Sequence, residues 1–243
     1  EAINGVWERR SSEVAQTVQT IALQSDPVDS RLSALAVGVA SSSNVQFVWQ
    51  RGAKPVQVKI NGKPLGSFAP SGTLLAYGGA GNDTISVDAR LTRKAVLSGG
   101  AGTNKLTAGG GPTVLVGGPG PDTLRGGAKG CLLIGGAGGN SLSAGPGGAA
   151  LVSGRTAYDD ETRELLALLA EWSTRESINT RISHIQNGQH LAAGAALTPT
   201  TVENAGARSL LVGGPGVDWF LNLGVNDTLR SIDARRDRLW KKP

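Results

Sequence analysis

GGAGTNKLT, AGGGPTVLV, GGPGPDTLR, GGAKGCLLI, GGAGGNSLS, AGPGGAALV: residues 99–152, cut into nines, are six consecutive units in one register. A seventh unit, GGAGNDTIS, occupies 78–86, and the spacer to Gly99 carries one more unit plus three extra residues. Self-similarity at a fixed period is the signature of a repeat architecture. The glycines form a turn that needs positive φ, a region closed to most residues. The last three residues of each unit predict a short strand with its large apolar member pointing inward. That member is Ile85, Leu106, Leu115, Leu124, Leu133, Leu142 and Leu151. Two units make one turn, so equivalent positions recur every 18 residues on the same side.

Composition agrees with a repeat. Glycine accounts for 36 of 243 residues, well above the usual share of roughly 7%. The glycines lack the G-X-Y period of collagen. They alternate with Leu, Val and Ile, which argues against a flexible linker. The single cysteine, Cys131, excludes an internal disulfide framework and a Cys-based zinc site. No apolar run approaches the roughly 20 residues that span a bilayer. The chain starts at Glu1 and contains no Met, as in a processed or trimmed form. A net charge of +5 and a pI near 9.7 leave an anionic partner open without demanding one.

Four segments follow. Residues 1–34 predict an N-terminal cap, helical or irregular, with Val14, Val18 and Ile21 at helical spacing and Asp26-Pro27 as its end. Residues 35–155 predict the repeat body. Its early part alternates as Leu35/Val37/Val39, Val45/Phe47/Trp49 and Val56/Val58/Ile60, with a turn at Asn61-Gly62. Residues 156–190 predict a helical insert, capped by Asp159 or Asp160, with Leu165, Leu169 and Trp172 on one face and Ile178, Ile182 and Ile185 on another. Residues 191–243 predict a returning repeat, LLVGGPGVDWFL at 210–221, and a basic tail.

The nonapeptide GGxGxDxUx resembles the RTX, or haemolysin-type calcium-binding, repeat. The chain is more closely similar to a C-terminal module of large bacterial secreted and surface proteins. There the repeats precede a motif like Thr156-Ala157-Tyr158-Asp159, a helical insert with a Trp such as Trp172, and a closing GGxGxDWF such as 213–220. The resemblance covers about residues 35–225. It implies an all-β fold, a right-handed parallel β-roll or β-solenoid with a helical insert packed on one sheet. It also implies calcium as cofactor and a secreted or cell-surface location. The ending WKKP departs from the usual type I secretion signal.

In that family the sixth position of each unit supplies the calcium ligand. One side of this chain holds Asp83, Asn104, Asp122 and Asn140 there; the other holds Thr113, Cys131 and Ala149. Calcium takes six to eight oxygens, and affinity follows ligand charge. A site between adjacent turns would have one carboxylate and one amide, so binding is expected to be weak or vestigial, about 1 mM. Asp218 could serve a separate site. The plain alternative is that these side chains make turn hydrogen bonds. The strand positions flanking each leucine divide likewise. Thr84/Ser86, Lys105/Thr107, Thr123/Arg125 and Ser141/Ser143 are polar; Leu75/Tyr77, Val114/Val116, Leu132/Ile134 and Ala150/Val152 are mostly apolar. So long an apolar stripe is expected to be covered, either by the insert through Leu165, Leu169 and Trp172 or by a partner protein.

Nothing points to catalysis. There is no GxSxG elbow, His184 and His190 lack HExxH spacing, and the glycine turns lack the GK[ST] of a phosphate loop. The cluster Arg235, Arg236, Arg238, Trp240, Lys241 and Lys242 could meet an anionic envelope surface or an acidic protein partner. No nucleic-acid-binding motif is present. The expected function is a non-enzymatic extracellular structural or interaction module. The alternatives are a subunit of a larger envelope or membrane-associated assembly and an accessory domain of a secreted enzyme.

Overall fold

The computed structural model describes residues 19–53, 55–188, 191, 194–204, 206–221 and 223–240. Val14, Val18, His190, Lys241 and Lys242 lie outside them. The strands are β1 (Thr20–Ser25), β2 (Ser33–Gly38), β3 (Asn44–Trp49), β4 (Val56–Ile60), β5 (Lys63–Phe68), β6 (Leu74–Tyr77), β7 (Thr84–Val87), β8 (Ala95–Ser98), β9 (Lys105–Thr107) and β10 (Thr113–Gly118). They continue as β11 (Thr123–Arg125), β12 (Cys131–Gly136), β13 (Ser141–Ser143), β14 (Ala149–Val152) and β15 (Arg155–Thr156). After α1 (Thr162–Trp172) and α2 (Ile178–Asn187) come β16 (Val202–Glu203), β17 (Leu210–Val212), β18 (Trp219–Leu221), β19 (Thr228–Arg230) and β20 (Arg238–Trp240).

The fold is mostly β with two helices among the described residues. Two nine-stranded sheets dominate, in the orders β1-β2-β6-β8-β10-β12-β14-β18-β20 and β19-β17-β13-β11-β9-β7-β3-β4-β5. Neither order closes into a barrel. From β6 to β14 consecutive strands go to alternate sheets, and pairing within each sheet is parallel. The register is the repeat period: Leu115 pairs with Leu133 and Leu124 with Leu142. Antiparallel pairs stand at the N-terminal end, β1 with β2, β3 with β4 and β4 with β5. β13 next pairs with β17, joining Ser141 to Leu210. β14 pairs with β18, joining Ala150 to Trp219. The intervening residues carry β15, α1, α2 and β16.

Glycine sets how closely turns stack. Gly118 and Gly136 have φ of +119° and +87°. A Cβ on either would run into a carbonyl oxygen of the preceding turn, that of Gly100 and that of Gly118 respectively. Any other residue there would both strain the backbone and push the turns apart.

Two apolar layers result. Leu74, Leu97, Leu115, Leu133, Leu151 and Phe220 of one sheet form a single cluster with Phe47, Ile85, Leu106, Leu124, Leu142 and Leu211 of the other. The first sheet's outward residues, Leu75, Val96, Val114, Leu132, Ala150 and Trp219, form a second cluster with Leu165, Leu166, Leu168, Leu169 and Trp172 of α1. Trp172 stacks on Trp219 at 6.2 Å, and Trp240 follows at 6.4 Å. The Arg181 guanidinium lies 4.6 Å over the Trp172 ring and donates to the Trp172 carbonyl, tying α2 to α1.

Several local readings need correction. Ile21 lies in a strand, β1, opposite Val37; burial against β2 overrides the helical spacing. Asp159 does not cap α1: its Oδ1 accepts from the Thr156 N–H and hydroxyl, and the N-cap is Glu161, with no side-chain bond. α2 has conventional ends, with Ser177 accepting from Thr180 N–H and Gly188 left-handed. The basic segment is not a free tail, since Arg238 and Trp240 belong to β20, which pairs with β18.

The covering layer makes a definite prediction. Trp172 is 1% exposed. Truncating a buried aromatic costs roughly 3–5 kcal/mol, and each kcal/mol moves the melting temperature of a domain this size by about 2–4 °C. Trp172→Ala should therefore melt roughly 6–20 °C lower. Val225→Ala, at a fully exposed site, should leave the melt unchanged. An unaltered melt for Trp172→Ala would show that the layer contributes nothing.

Candidate functional site

Asp83, Asn104, Asp122 and Asn140 form one continuous column. Each side chain reaches back one turn and accepts from a backbone N–H. Asp83 Oδ1 takes Ser43 N–H at 2.7 Å, Asn104 Oδ1 takes Asp83 N–H at 2.9 Å, Asp122 Oδ1 takes Asn104 N–H at 2.6 Å and Asn140 Oδ1 takes Asp122 N–H at 2.8 Å. The column continues across the insert. Ser209 Oγ accepts from Asn140 N–H at 3.2 Å, and Asp227 Oδ1 from Ser209 N–H at 2.9 Å. The four Asp and Asn residues are 1–2% exposed. In a dry turn an unmatched N–H is costly, and this column matches one per turn.

The second side-chain atom separates Asp from Asn. Asn104 Nδ2 donates to the Gly100 carbonyl at 3.1 Å, and Asn140 Nδ2 to the Gly138 carbonyl at 3.0 Å. Asp83 Oδ2 and Asp122 Oδ2 are buried without a hydrogen-bond partner. Each also faces a carbonyl. Asp83 Oδ2 and Gly99 O both lie within 3 Å of where a Cβ on Gly78 would stand. Asp122 Oδ2 and Gly135 O stand in the same relation to Gly117. Two acceptors converge there with no donor between them. Burial, opposed by the accepted backbone N–H, pushes Asp83 and Asp122 up to about 6. A protonated carboxyl could donate to a carbonyl of its own turn, as the amides do to Gly100 and Gly138.

The column offers calcium few side-chain oxygens. Oδ1 of every member is already bound to an N–H. Each Asp leaves one free oxygen, and the turns beside it present an amide nitrogen, which cannot ligate. The amides cannot be reversed without turning their NH2 groups onto backbone N–H donors. Side-chain oxygens alone fall short of the six to eight the ion requires, so an ion here would draw most of its ligands from backbone carbonyls such as those of Gly99 and Gly135.

Asp218 stands in a second column, on the opposite side. Its Oδ1 accepts from Ala149 N–H at 2.8 Å and its Oδ2 from Gly214 N–H at 2.7 Å. Its own N–H donates to Asp237 Oδ1 at 3.0 Å. Ser209 and Asp227 thus extend the first column and Asp237 the second, three residues that the nonapeptide count passes over. A signal for them exists: Asp122-Thr123-Leu124-Arg125 recurs as Asp227-Thr228-Leu229-Arg230.

Among the described residues the C-terminal arginines are drawn to different partners. Arg236 pairs with Asp233 at 2.8 Å and donates to the Pro215 carbonyl. Arg238 Nε donates to Asn179 Oδ1 at 3.0 Å. Trp240 packs against the covered layer, and Arg235 is exposed. Cys131 is buried, with its thiol donating to the Lys129 carbonyl and its pKa raised by burial. His184 Nδ1 lies 2.8 Å from Glu171 and 3.6 Å from Glu176, a group of three potential metal ligands at the bend between α1 and α2. Among the described residues no helix is long and apolar enough to cross a membrane. Searches of protein-family models, curated proteins and solved structures found no match.

The raised carboxyls fix the sign of a pH effect. Asp83 and Asp122 titrate near 6 when folded and near 3.9 in a flexible chain. Between those values the native state holds more protons, so stability rises as pH falls through 6 and is fully gained below 3.9. The melting temperature should be higher at pH 5 than at pH 7.5. Asp122→Asn supplies the missing donor, and a buried unsatisfied group costs about 1–3 kcal/mol. The variant should melt several degrees higher at pH 7.5 and depend less on pH. A lower melt at pH 7.5 would refute the orphan-oxygen account.

Proposed function

We propose that the chain is a non-catalytic, extracellular structural and interaction module. Its architecture is a right-handed parallel β-roll of the haemolysin-type repeat kind, with the helical insert packed on one sheet. Calcium binding is weak or vestigial. The observation that carries this reading is the Asp/Asn column, in which Oδ1 of every ligand-position side chain is occupied by one of the protein's own backbone N–H groups. The 18-residue parallel register supports the roll. The apolar layer under α1 supplies stability where an ion would otherwise be needed. Secretion or surface display follows from the repeat resemblance.

The test is a thermal melt in EDTA against 5 mM calcium, with magnesium as control. The expected result is one cooperative transition in EDTA and a calcium shift of no more than about 4 °C, corresponding to about 1 kcal/mol of linkage for a site of about 1 mM affinity. A calcium-specific rise of ten degrees or more would overturn the reading and make calcium-gated folding the mechanism.

A further inference from the structure

The two sheets differ on their outward faces. The first is covered by α1, while the second, from β7 to β19, presents polar and cationic side chains together with Leu210 and Val212. Its outward positions from β7 to β19 are Thr84/Ser86, Lys105/Thr107, Thr123/Arg125, Ser141/Ser143, Leu210/Val212 and Thr228/Arg230, flanking the buried Ile85, Leu106, Leu124, Leu142 and Leu211 and the half-buried Leu229. No carboxylate and no aromatic ring occurs among these outward positions. Lys105, Arg125 and Arg230 are exposed.

The pairing lines up these charges. Arg125 pairs with Ser143, Ser143 with Val212 and Val212 with Arg230. The two arginines therefore share a row three strands apart, about 14 Å at the usual strand spacing. They are the same position of the duplicated DTLR sequence. Lys105 extends the charge one strand further, diagonal to Arg125.

A cleft opens beside this row, where the insert rejoins the stack. Its volume is about 410 Å3, within the roughly 300–1,000 Å3 of small-ligand sites. Thr123, Ser141, Arg208, Leu210, Thr228 and Arg230 line it. Its one carboxylate, Asp122, is 2% exposed and turned into the column. Asp227, next to Thr228, is likewise engaged, with Oδ1 and Oδ2 accepting from Ser209 and Gly224 N–H. The cleft thus offers two guanidinium groups, three hydroxyls and an aliphatic side chain.

We propose that this face binds a linear acidic polysaccharide, with a sugar carboxylate held between Arg208 and Arg230 and the chain running past Arg125 toward Lys105. Guanidinium groups match carboxylates as planar, two-point donors. The hydroxyl rows suit sugar hydroxyls, and the Leu210 side chain suits the apolar edge of a ring. Single-stranded nucleic acid would call for aromatic stacking platforms, which this face lacks. The proposal rests on the interaction-module reading and supplies its ligand.

The experiment is calorimetric titration of the full chain with polygalacturonate at pH 7.5 and 50 mM salt. Neutral dextran, sulfated dextran and single-stranded DNA are titrated alongside. The expected result is saturable polyuronate binding, none with dextran, and a weakening of tenfold or more in the double variant Arg125→Gln/Arg230→Gln, whose unchanged melt shows an intact fold. Arg235→Gln should bind as the unmodified protein does. Three results would each overturn the proposal: no polyuronate binding, loss through Arg235 in place of the sheet arginines, or equal affinity for DNA and sulfated dextran, which would mark plain cation attraction. None of these alters the melt in EDTA, so the module reading stands or falls separately.

Discussion

The backbone N–H just ahead of β3, β7, β9, β11, β13 and β17 is the constraint on which this molecule depends. In a stack of parallel turns, that donor is buried before the ladder can use it. The next turn supplies the acceptor, through Asp83, Asn104, Asp122, Asn140, Ser209 and Asp227 in succession. The glycines are the other half of the arrangement. Gly78, Gly99, Gly117 and Gly135 leave the space in which the side chains' second polar atoms lie. A Cβ at any of them would collide with the column. The period of the sequence is thus a record of two coupled needs, a side-chain acceptor and a missing side chain at fixed spacing.

The sheets resolve a common problem differently. A strand three to six residues long buries little by itself, so each sheet must gain from its inner face. The first sheet also buries its outer face, under α1 and the Trp172–Trp219–Trp240 series. Burial of that kind contributes roughly 1.5–3 kcal/mol for each large side chain. Among the described residues the second sheet has no such cover, and its outer rows from β7 to β19 are Ser, Thr, Lys and Arg apart from Leu210 and Val212. One outer face is packed under a helix and the other is not.

Much of this was legible in the sequence because the repeat is strict where geometry is strict. The inward leucines, the 18-residue register and the polar and apolar outward rows all follow from counting in nines. The rest was hidden for identifiable reasons. β1 reads as a helix because Val14, Val18 and Ile21 share a spacing, while its pairing with β2 is a long-range contact. β19 and β20 lack the glycine turn, so Asp227-Thr228-Leu229-Arg230 and Asp237-Arg238-Leu239-Trp240 look like tail. In them only the column residue and a leucine in the inward register remain of the repeat, Leu229 packed against the core and Leu239 half exposed at the sheet edge. The cleft beside Arg208 was out of reach, since it arises where an insert of unknown path rejoins the stack. From the sequence, backbone N–H bonding by the Asp and Asn side chains stands only as an alternative to calcium, because the same oxygens serve either purpose.

The order of residues in the columns carries its own logic. Neighbouring turns stand about 4.8 Å apart, close enough for two buried carboxylates to repel strongly. In the first column no two acids are adjacent: Asn104, Asn140 and Ser209 separate Asp83, Asp122 and Asp227. In the second, Asp218 and Asp237 are adjacent, and Asp237 adds to the rise of Asp218 to about 6, which burial leads. There both oxygens of each acid are supplied, Asp218 by Ala149 and Gly214 N–H, Asp237 by Asp218 and Asp233 N–H. Where adjacent acids must be held, extra backbone donors offset the charge. Where the acids are spaced, one oxygen of Asp83 and of Asp122 is left unmatched, and a single proton on each is enough to complete the column.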